Sequence, residues 1–146
     1  MNLQVQIINK SPHELPVYQT SGASGLDLRA WLQEPLTIKP MGRKLIPTGL
    51  YMAIPLGFEA QVRPRSGLAI KKGLTVVNAP GTIDSDYRGE VMVVLINLSE
   101  EEQVITDGER IAQLIVAKHE RVAWEEVANL DETTRNTGGF GSSGVH

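Results

Sequence analysis

The segment Gly81-Thr82-Ile83-Asp84-Ser85-Asp86-Tyr87-Arg88-Gly89 sets two carboxylates, a phenol ring and a guanidinium between two apolar runs, Leu74–Val77 and Val91–Ile96. If those runs are strands, the segment becomes a hairpin that holds its polar groups rigidly, with Gly81 and Gly89 supplying the backbone freedom of the turn. Asp, Ser and Gly are equally the composition of an ordinary polar loop. The segment gains chemical meaning from four others along the chain.

Arg63-Pro64-Arg65-Ser66-Gly67-Leu68-Ala69 suits phosphate binding. A helix starting at Ser66 points free N–H groups and its positive dipole end at what precedes it, and Arg65 adds a two-pronged phosphate donor. A plain helix cap beside a surface arginine reads the same way. In Gly22-Ala23-Ser24-Gly25-Leu26-Asp27-Leu28-Arg29, Asp27 lies among small and apolar residues. It needs a partner, which water on a bound metal ion or the backbone amides of a turn would provide. In Gly108-Glu109-Arg110-Ile111-Ala112-Gln113-Leu114, Arg110 opens a strand and Gln113 interrupts its apolar residues. Gln113 requires a hydrogen-bond partner unless it points to solvent. Gly139-Phe140-Gly141-Ser142-Ser143-Gly144 matches the spacing of the dinucleotide fingerprint but lacks the strand before it and the helix after it that the fingerprint requires. Its backbone N–H groups, with Ser142 and Ser143, can still wrap phosphates, Arg135 adding charge and Phe140 a stacking face. A solvated C-terminus has the same composition.

The elements that must position these residues are mostly strands. Leu3, Val5 and Ile7 alternate with Gln4 and Gln6, predicting an opening strand with one wet face, and Phe58, Ala60 and Val62 alternate with Glu59, Gln61 and Arg63. Val91 to Ile96 is apolar on both faces and predicts a buried central strand. Asp107-Gly108 is a hairpin signal before the alternating run Ile111 to Val116. Eight prolines and fourteen glycines punctuate many short strands, which favours an antiparallel sandwich or barrel. One short helix is expected over Ser66 to Lys72, with Ser66 as its N-cap and Gly73 as its stop. Val122, Val127 and Leu130 fit a helix face loosely, so 120–130 stays open between helix and strand. From Asp131 onward Thr, Asn, Gly and Ser dominate, and that tail has no core to join.

A length of 146 residues suits one domain with a core of its own. No stretch approaches a membrane span and the N-terminus is not a signal peptide, so the expected setting is cytoplasmic, without a membrane partner. The absence of Cys excludes disulfides, thiolate zinc sites and thiol nucleophiles. His13, His119 and His146 are scattered and show no metal-ligand spacing. A net charge of -3 argues against nucleic acid as a partner, while a local arginine cluster still allows one phosphorylated small molecule.

In order and spacing, five segments of the chain resemble the trimeric dUTPase family, the deoxyuridine triphosphate nucleotidohydrolases. They are Ala23–Leu28, Pro64–Ala69, Gly81–Gly89, Arg110–Ile115 and the stretch from Arg135 to Gly144, which together span nearly the whole chain. The resemblance implies an all-β, jelly-roll-like distorted barrel with one short helix, assembled as a homotrimer with three sites at subunit boundaries. Residues 1–130 would form the β domain, and 131–146 a Gly-rich lid over a neighbouring subunit's site. The implied reaction is hydrolysis of dUTP to dUMP and pyrophosphate by water attack on the α-phosphorus, with Mg2+ on the triphosphate. Such a reaction keeps uracil out of DNA and supplies dUMP for thymidylate synthesis.

By the same resemblance Asp84 would be the general base, and Asp27 would hold the magnesium through its water ligands. Arg65, Ser66, Gly67 and Gln113 would hold the triphosphate, joined by Arg135, Gly141, Ser142 and Ser143 of the lid. Asn78 and the backbone around Gly81 and Ile83 would pair with the uracil edge. Tyr87 would pack under the deoxyribose and exclude a 2′-hydroxyl, and Phe140 would cover the base. Asn136 stands where the family usually has Gly and Ser143 where it usually has Thr, both in the lid, and Asp86 receives no role. A dCTP deaminase, which shares the fold, carries a glutamate after the third segment, where this chain has the apolar Val91–Leu95. A non-catalytic trimer of the same fold would have no need of Asp84, Arg65 or the tail.

Overall fold

Alternation along the strands decides which faces close on each other. A computed structural model of the chain describes residues 3–139. Within them the elements run β1 (Gln6–Asn9), β2 (Leu26–Arg29), β3 (Leu36–Ile38), β4 (Arg43–Ala53), β5 (Phe58–Arg63), α1 (Ser66–Lys72), β6 (Leu74–Val76), β7 (Gly81–Ile83), β8 (Glu90–Asn97), β9 (Gln103–Ile105) and β10 (Arg110–Lys118). Two four-stranded sheets, ordered β1-β4-β8-β6 and β2-β10-β5-β7, carry the architecture, and β3 and β9 form a small third sheet. Every pairing is antiparallel.

The core lies between the inward faces. Ile46, Leu74, Val91, Val93 and Leu95 come from one large sheet, Leu28, Ala60, Val62, Ala112 and Leu114 from the other, and Ile38 and Ile105 from the small one. The arrangement is the antiparallel all-β fold with one short helix that the sequence implies. Its sheets are layered, and the described strands do not join into one closed hydrogen-bonded barrel. Asn97, fully buried, ties the layers: its Nδ2 donates to the carbonyls of Ile38 (2.9 Å) and Glu101 (2.7 Å), and its Oδ1 accepts from Ser99 N–H (2.9 Å).

Several local expectations change. The opening strand begins at Gln6, and Ile7 and Ile8 are both exposed, because β1 is an edge strand paired with β4 alone. β8 is central as expected, between β4 and β6. Only Val91, Val93, Leu95 and Asn97 on one face are fully buried, and Met92, Val94 and Ile96 are half-covered. Asp107-Gly108 is a turn, with Gly108 at φ +75°, but not a hairpin, since β9 pairs with β3 and β10 with β2 and β5. The helix spans the expected residues and stops at Gly73 (φ 62°), yet its N-cap is Arg65, and Ser66 is its first helical residue. Residues 120–130 are neither helix nor strand and are exposed throughout.

Candidate active site

The polar face of the second large sheet gathers three of the five segments. Antiparallel register sets Gln113 of β10 opposite Asp27 of β2 on one side and opposite Arg63 of β5 on the other. Paired residues share a face, so Asp27 and Gln113 stand together on the outer side while Leu28, Val62 and Leu114 point into the core. Asp27, its side chain 17% exposed, is clasped by two arginines: Arg65 Nε lies 2.9 Å from Oδ1 and Arg110 Nη1 lies 3.1 Å from Oδ2. Arg65 Nη1 also donates to the Arg110 carbonyl at 2.9 Å. Gln113 is half-buried and donates from Nε2 to the Pro64 carbonyl at 2.9 Å, so it does not point to solvent. The cluster brings together Asp27, Arg65 and Gln113 as the sequence implies, beside the exposed Ser66 and Gly67 that open α1.

Glycine matters here for space. A Cβ on Gly25 would fall on the Gln113 side-chain amide, so only a glycine lets that amide lie against β2. Gly81 and Gly89, expected to supply the backbone freedom of a turn, have no positive φ; among the described residues that conformation is taken by Gly49, Gly57, Gly73 and Gly108 and by the non-glycines Met41 and Asn136. What Gly81 provides is room, since a Cβ there would sit 3.0 Å from Asn78 Nδ2. Asn78 is exposed and Gly81 buried, so the amide of Asn78 lies over the start of β7.

The third segment is more than a hairpin loop. Its first residues are β7, which pairs with β5 through Gly81↔Val62 and Ile83↔Ala60, and its remainder crosses to the other sheet at β8. Ile83 is buried and Asp84 exposed immediately after it. Tyr87, 45% exposed, donates from its hydroxyl to the Glu90 carbonyl (3.0 Å), and Arg88 turns back onto the Ser85 carbonyl (2.7 Å). Glu90 spends Oε1 on the N–H groups of Thr48 (3.1 Å) and Gly49 (2.8 Å), so its carboxylate is committed to holding β4.

These two groups of residues do not meet within one chain. Arg65 follows the end of β5 at Arg63, whereas Asp84 follows Ile83, which is paired with Ala60 near the opposite end of β5. Four residues of strand and two strand spacings separate Asp84 from Gln113, a distance on the order of 15 Å. Arg135 stands apart in the tail, where its Nε donates to the Gly138 carbonyl (2.9 Å). Phe140, Gly141, Ser142 and Ser143 lie outside the described residues. Two contacts went unread in the sequence. Arg110 was visible only as a strand opener, and Lys72 Nζ pairs with Glu109 Oε1 at 2.6 Å, fastening the far end of α1 to the residue beside Arg110.

The geometry defines a class: an antiparallel β protein with an arginine-carboxylate cluster at one end of a sheet and, at the other, a turn in which Asn78 lies over Gly81. The comparisons make the class specific. The dUTPase family model matches residues 11–144. Deoxyuridine 5'-triphosphate nucleotidohydrolase from Finegoldia magna is 56% identical over 142 residues, covering 97% of this chain and 99% of that protein. The protein of the same description from Rickettsia felis is 59% identical over 131 residues, covering 90% and 88%. A dUTPase variant of phage 80alpha superposes with a TM-score of 0.85 at 24% identity, covering 98% of this chain and all of that one. A phage phi11 dUTPase described with a structural Mg(II) ion superposes with a TM-score of 0.76 at 19% identity, covering 89% and 100%. The chain belongs to the dUTPase family. Among its described residues no helix is long and apolar enough to cross a membrane.

Proposed function

We propose that this protein hydrolyses dUTP to dUMP and pyrophosphate, working as a homotrimer with magnesium on the substrate. The observation that carries the reading is the convergence of Asp27, Arg65 and Gln113 from three separate segments on one face, with Arg110 beside them. Guanidinium groups in a fork, an amide and the first N–H groups of α1 are the donors a triphosphate chain needs. Water attacks the α-phosphorus, a new P–O bond forms, the bond to the bridging oxygen breaks, and pyrophosphate leaves. Asp84, exposed just after the end of β7, takes the proton of that water.

Among the described residues no three histidine or carboxylate side chains converge. A cation held mainly by phosphate oxygens and water, with Asp27 reaching those waters, fits this donor set, and that is how magnesium is usually carried. Each Asp27 oxygen accepts one arginine contact and keeps lone pairs for such waters. Bound there, the cation would neutralise charge that develops on the phosphates.

Specificity is assigned to the other end of β5. Asn78 and the backbone of Gly81 and Ile83 present the pairing edge for uracil, in a turn too tight for the thymine methyl group. Cytosine would leave buried polar groups unpaired. Tyr87 excludes a 2′-hydroxyl. Because Asp84 and Arg65 sit at opposite ends of β5, a complete site draws them from different copies. Arg135, Phe140, Gly141, Ser142 and Ser143 close it from a further tail, with 131–146 acting as the lid of the 1–130 body. Glu90 is committed to Thr48 and Gly49, and the stretch Val91–Leu95 after it carries no glutamate, which speaks against a deaminase. Pyrophosphate release with magnesium from dUTP, dCTP, dTTP and UTP in parallel tests the reading. Release from dUTP alone is expected, and silence on all four with dUTP still bound would favour a non-catalytic trimer.

A further inference from the structure

We propose that Arg110 is a positioning residue for triphosphate binding: it holds Asp27 through its guanidinium and Arg65 through its carbonyl, so that Asp27 keeps a cationic partner when phosphate draws Arg65 away. The inference rests on the reading of this cluster as a triphosphate site. Arg110 and Gln113 are three residues apart, so in an unbroken strand they would face opposite sides of the sheet. The register breaks between them: Arg110 lies opposite Arg29 and Ala112 opposite Leu28, leaving Ile111 as the extra residue of a bulge. Ile111 and Ala112 are accordingly buried in succession, at 1% and 0% exposure. The bulge rolls Arg110 onto the face of Gln113 and Asp27, where Nη1 reaches Asp27 Oδ2 at 3.1 Å.

Its backbone is equally placed. The Arg110 carbonyl accepts from Arg65 Nη1 at 2.9 Å, and its neighbour Glu109 anchors the other end of α1 through Lys72 at 2.6 Å. Glu109 is itself fixed by its carbonyl accepting from Ala30 N–H at 2.9 Å. The dipeptide Glu109-Arg110 thus holds both ends of α1 and the carboxylate beside it. Without the Arg110 guanidinium, Asp27 has Arg65 as its sole charged partner, and the tightened pair competes with phosphate for the same fork.

Arg110→Met keeps the aliphatic stem and removes the charge. Calorimetric titration of the intact trimer with the non-hydrolysable analogue dUpNHpp, with and without magnesium, should show affinity about tenfold weaker, while dUMP affinity stays within about twofold. Arg110→Lys should recover much of the loss, and Arg110→Met added to Asp27→Asn should weaken the analogue no further than Asp27→Asn alone, since coupled residues are not additive. Unchanged analogue affinity in Arg110→Met, or additive losses in the double variant, would overturn the role. Equal losses of dUMP and analogue together with a dissociated trimer would make Arg110 structural and overturn it as well. If the wild-type trimer fails to bind dUpNHpp at all, it is the triphosphate reading of the site that falls, and this inference with it.

Discussion

Asp84 and Asp27 illustrate how placement assigns work to chemically identical side chains. Asp27 is clasped by two guanidinium groups, which suits a carboxylate that orders charge around it. Asp84 follows the end of β7 and is exposed, which suits a carboxylate that meets water. Asp84→Asn keeps the shape and removes the basicity, so kcat should fall by about 10²- to 10⁴-fold in pyrophosphate release while dUpNHpp affinity is retained. Near-normal turnover would remove Asp84 from the chemistry. A third aspartate works for the fold. Leu32 N–H donates to Asp107 Oδ1 at 2.8 Å and His13 Nε2 lies 3.0 Å from the same oxygen, and these contacts, Leu32 first, hold the Asp107 carboxyl below its ordinary value. A depressed folded value stabilises above the unfolded pKa, about 4 for aspartate, and the benefit fades as pH falls through the folded value. The Tm gap between wild type and Asp107→Asn should therefore be fully present at neutral pH and close on acidification through the aspartate range. A gap independent of pH would mean that the ionised carboxylate contributes nothing. That Asp27 and Gln113 needed partners was legible in the sequence; that the partners are Arg65, Arg110 and the Pro64 carbonyl was not, because it depends on the register and bulge of strands far apart in the chain.

At the scale of elements, what the sequence revealed well was whatever the chain's own core decides. β5 alternates against that core and appears as expected, and α1 stops where Gly73 adopts φ 62° and donates its N–H to the Ala69 and Leu68 carbonyls. A Cβ at Gly73 would stand 2.9 Å from Ser99 N, on backbone that Asn97 holds in place. Gly73→Ala should cost about 1–2 kcal/mol for the left-handed conformation, seen as a Tm lower by several degrees, and the backbone contact adds to it. A Tm at the wild-type value would show that the cap can be rebuilt. Less legible were β1 and 120–130, where the chain leaves apolar residues largely exposed. Periodicity cannot say which partner an apolar face meets. Truncation after Arg135 should lower kcat/KM for dUTP by at least about 100-fold, the range seen when preorganised phosphate donors are lost, while size-exclusion with light scattering still reports the full oligomer. A truncated protein that dissociates would make the tail part of the scaffold.

For the molecule as a whole, the same uncovered surfaces and the split site point to one assembly. Leu45, 56% exposed, lies opposite Val94 on the outer face of β4 and β8, continuing into the half-covered Met92 and Ile96, and Trp124 on the arm after β10 is 92% exposed. Apolar faces of this kind are covered by partners in oligomers. Since β5 keeps Arg65 and Asp84 apart in any one copy, the proposed site needs Arg65 of one copy and Asp84 of another. Subunit mixing decides this directly. Asp84→Asn and Arg65→Ala trimers, each inactive alone, would be dissociated, mixed in equal amounts and reassembled to a particle of three times the 16.0 kDa chain. With random assembly, about a quarter of the sites combine an intact Arg65 from one parent with an intact Asp84 from the other, so pyrophosphate release should recover to about a quarter of the wild-type rate. If both residues served a site within the same chain, every site would keep one defect, and the mixture would stay as inactive as its parents.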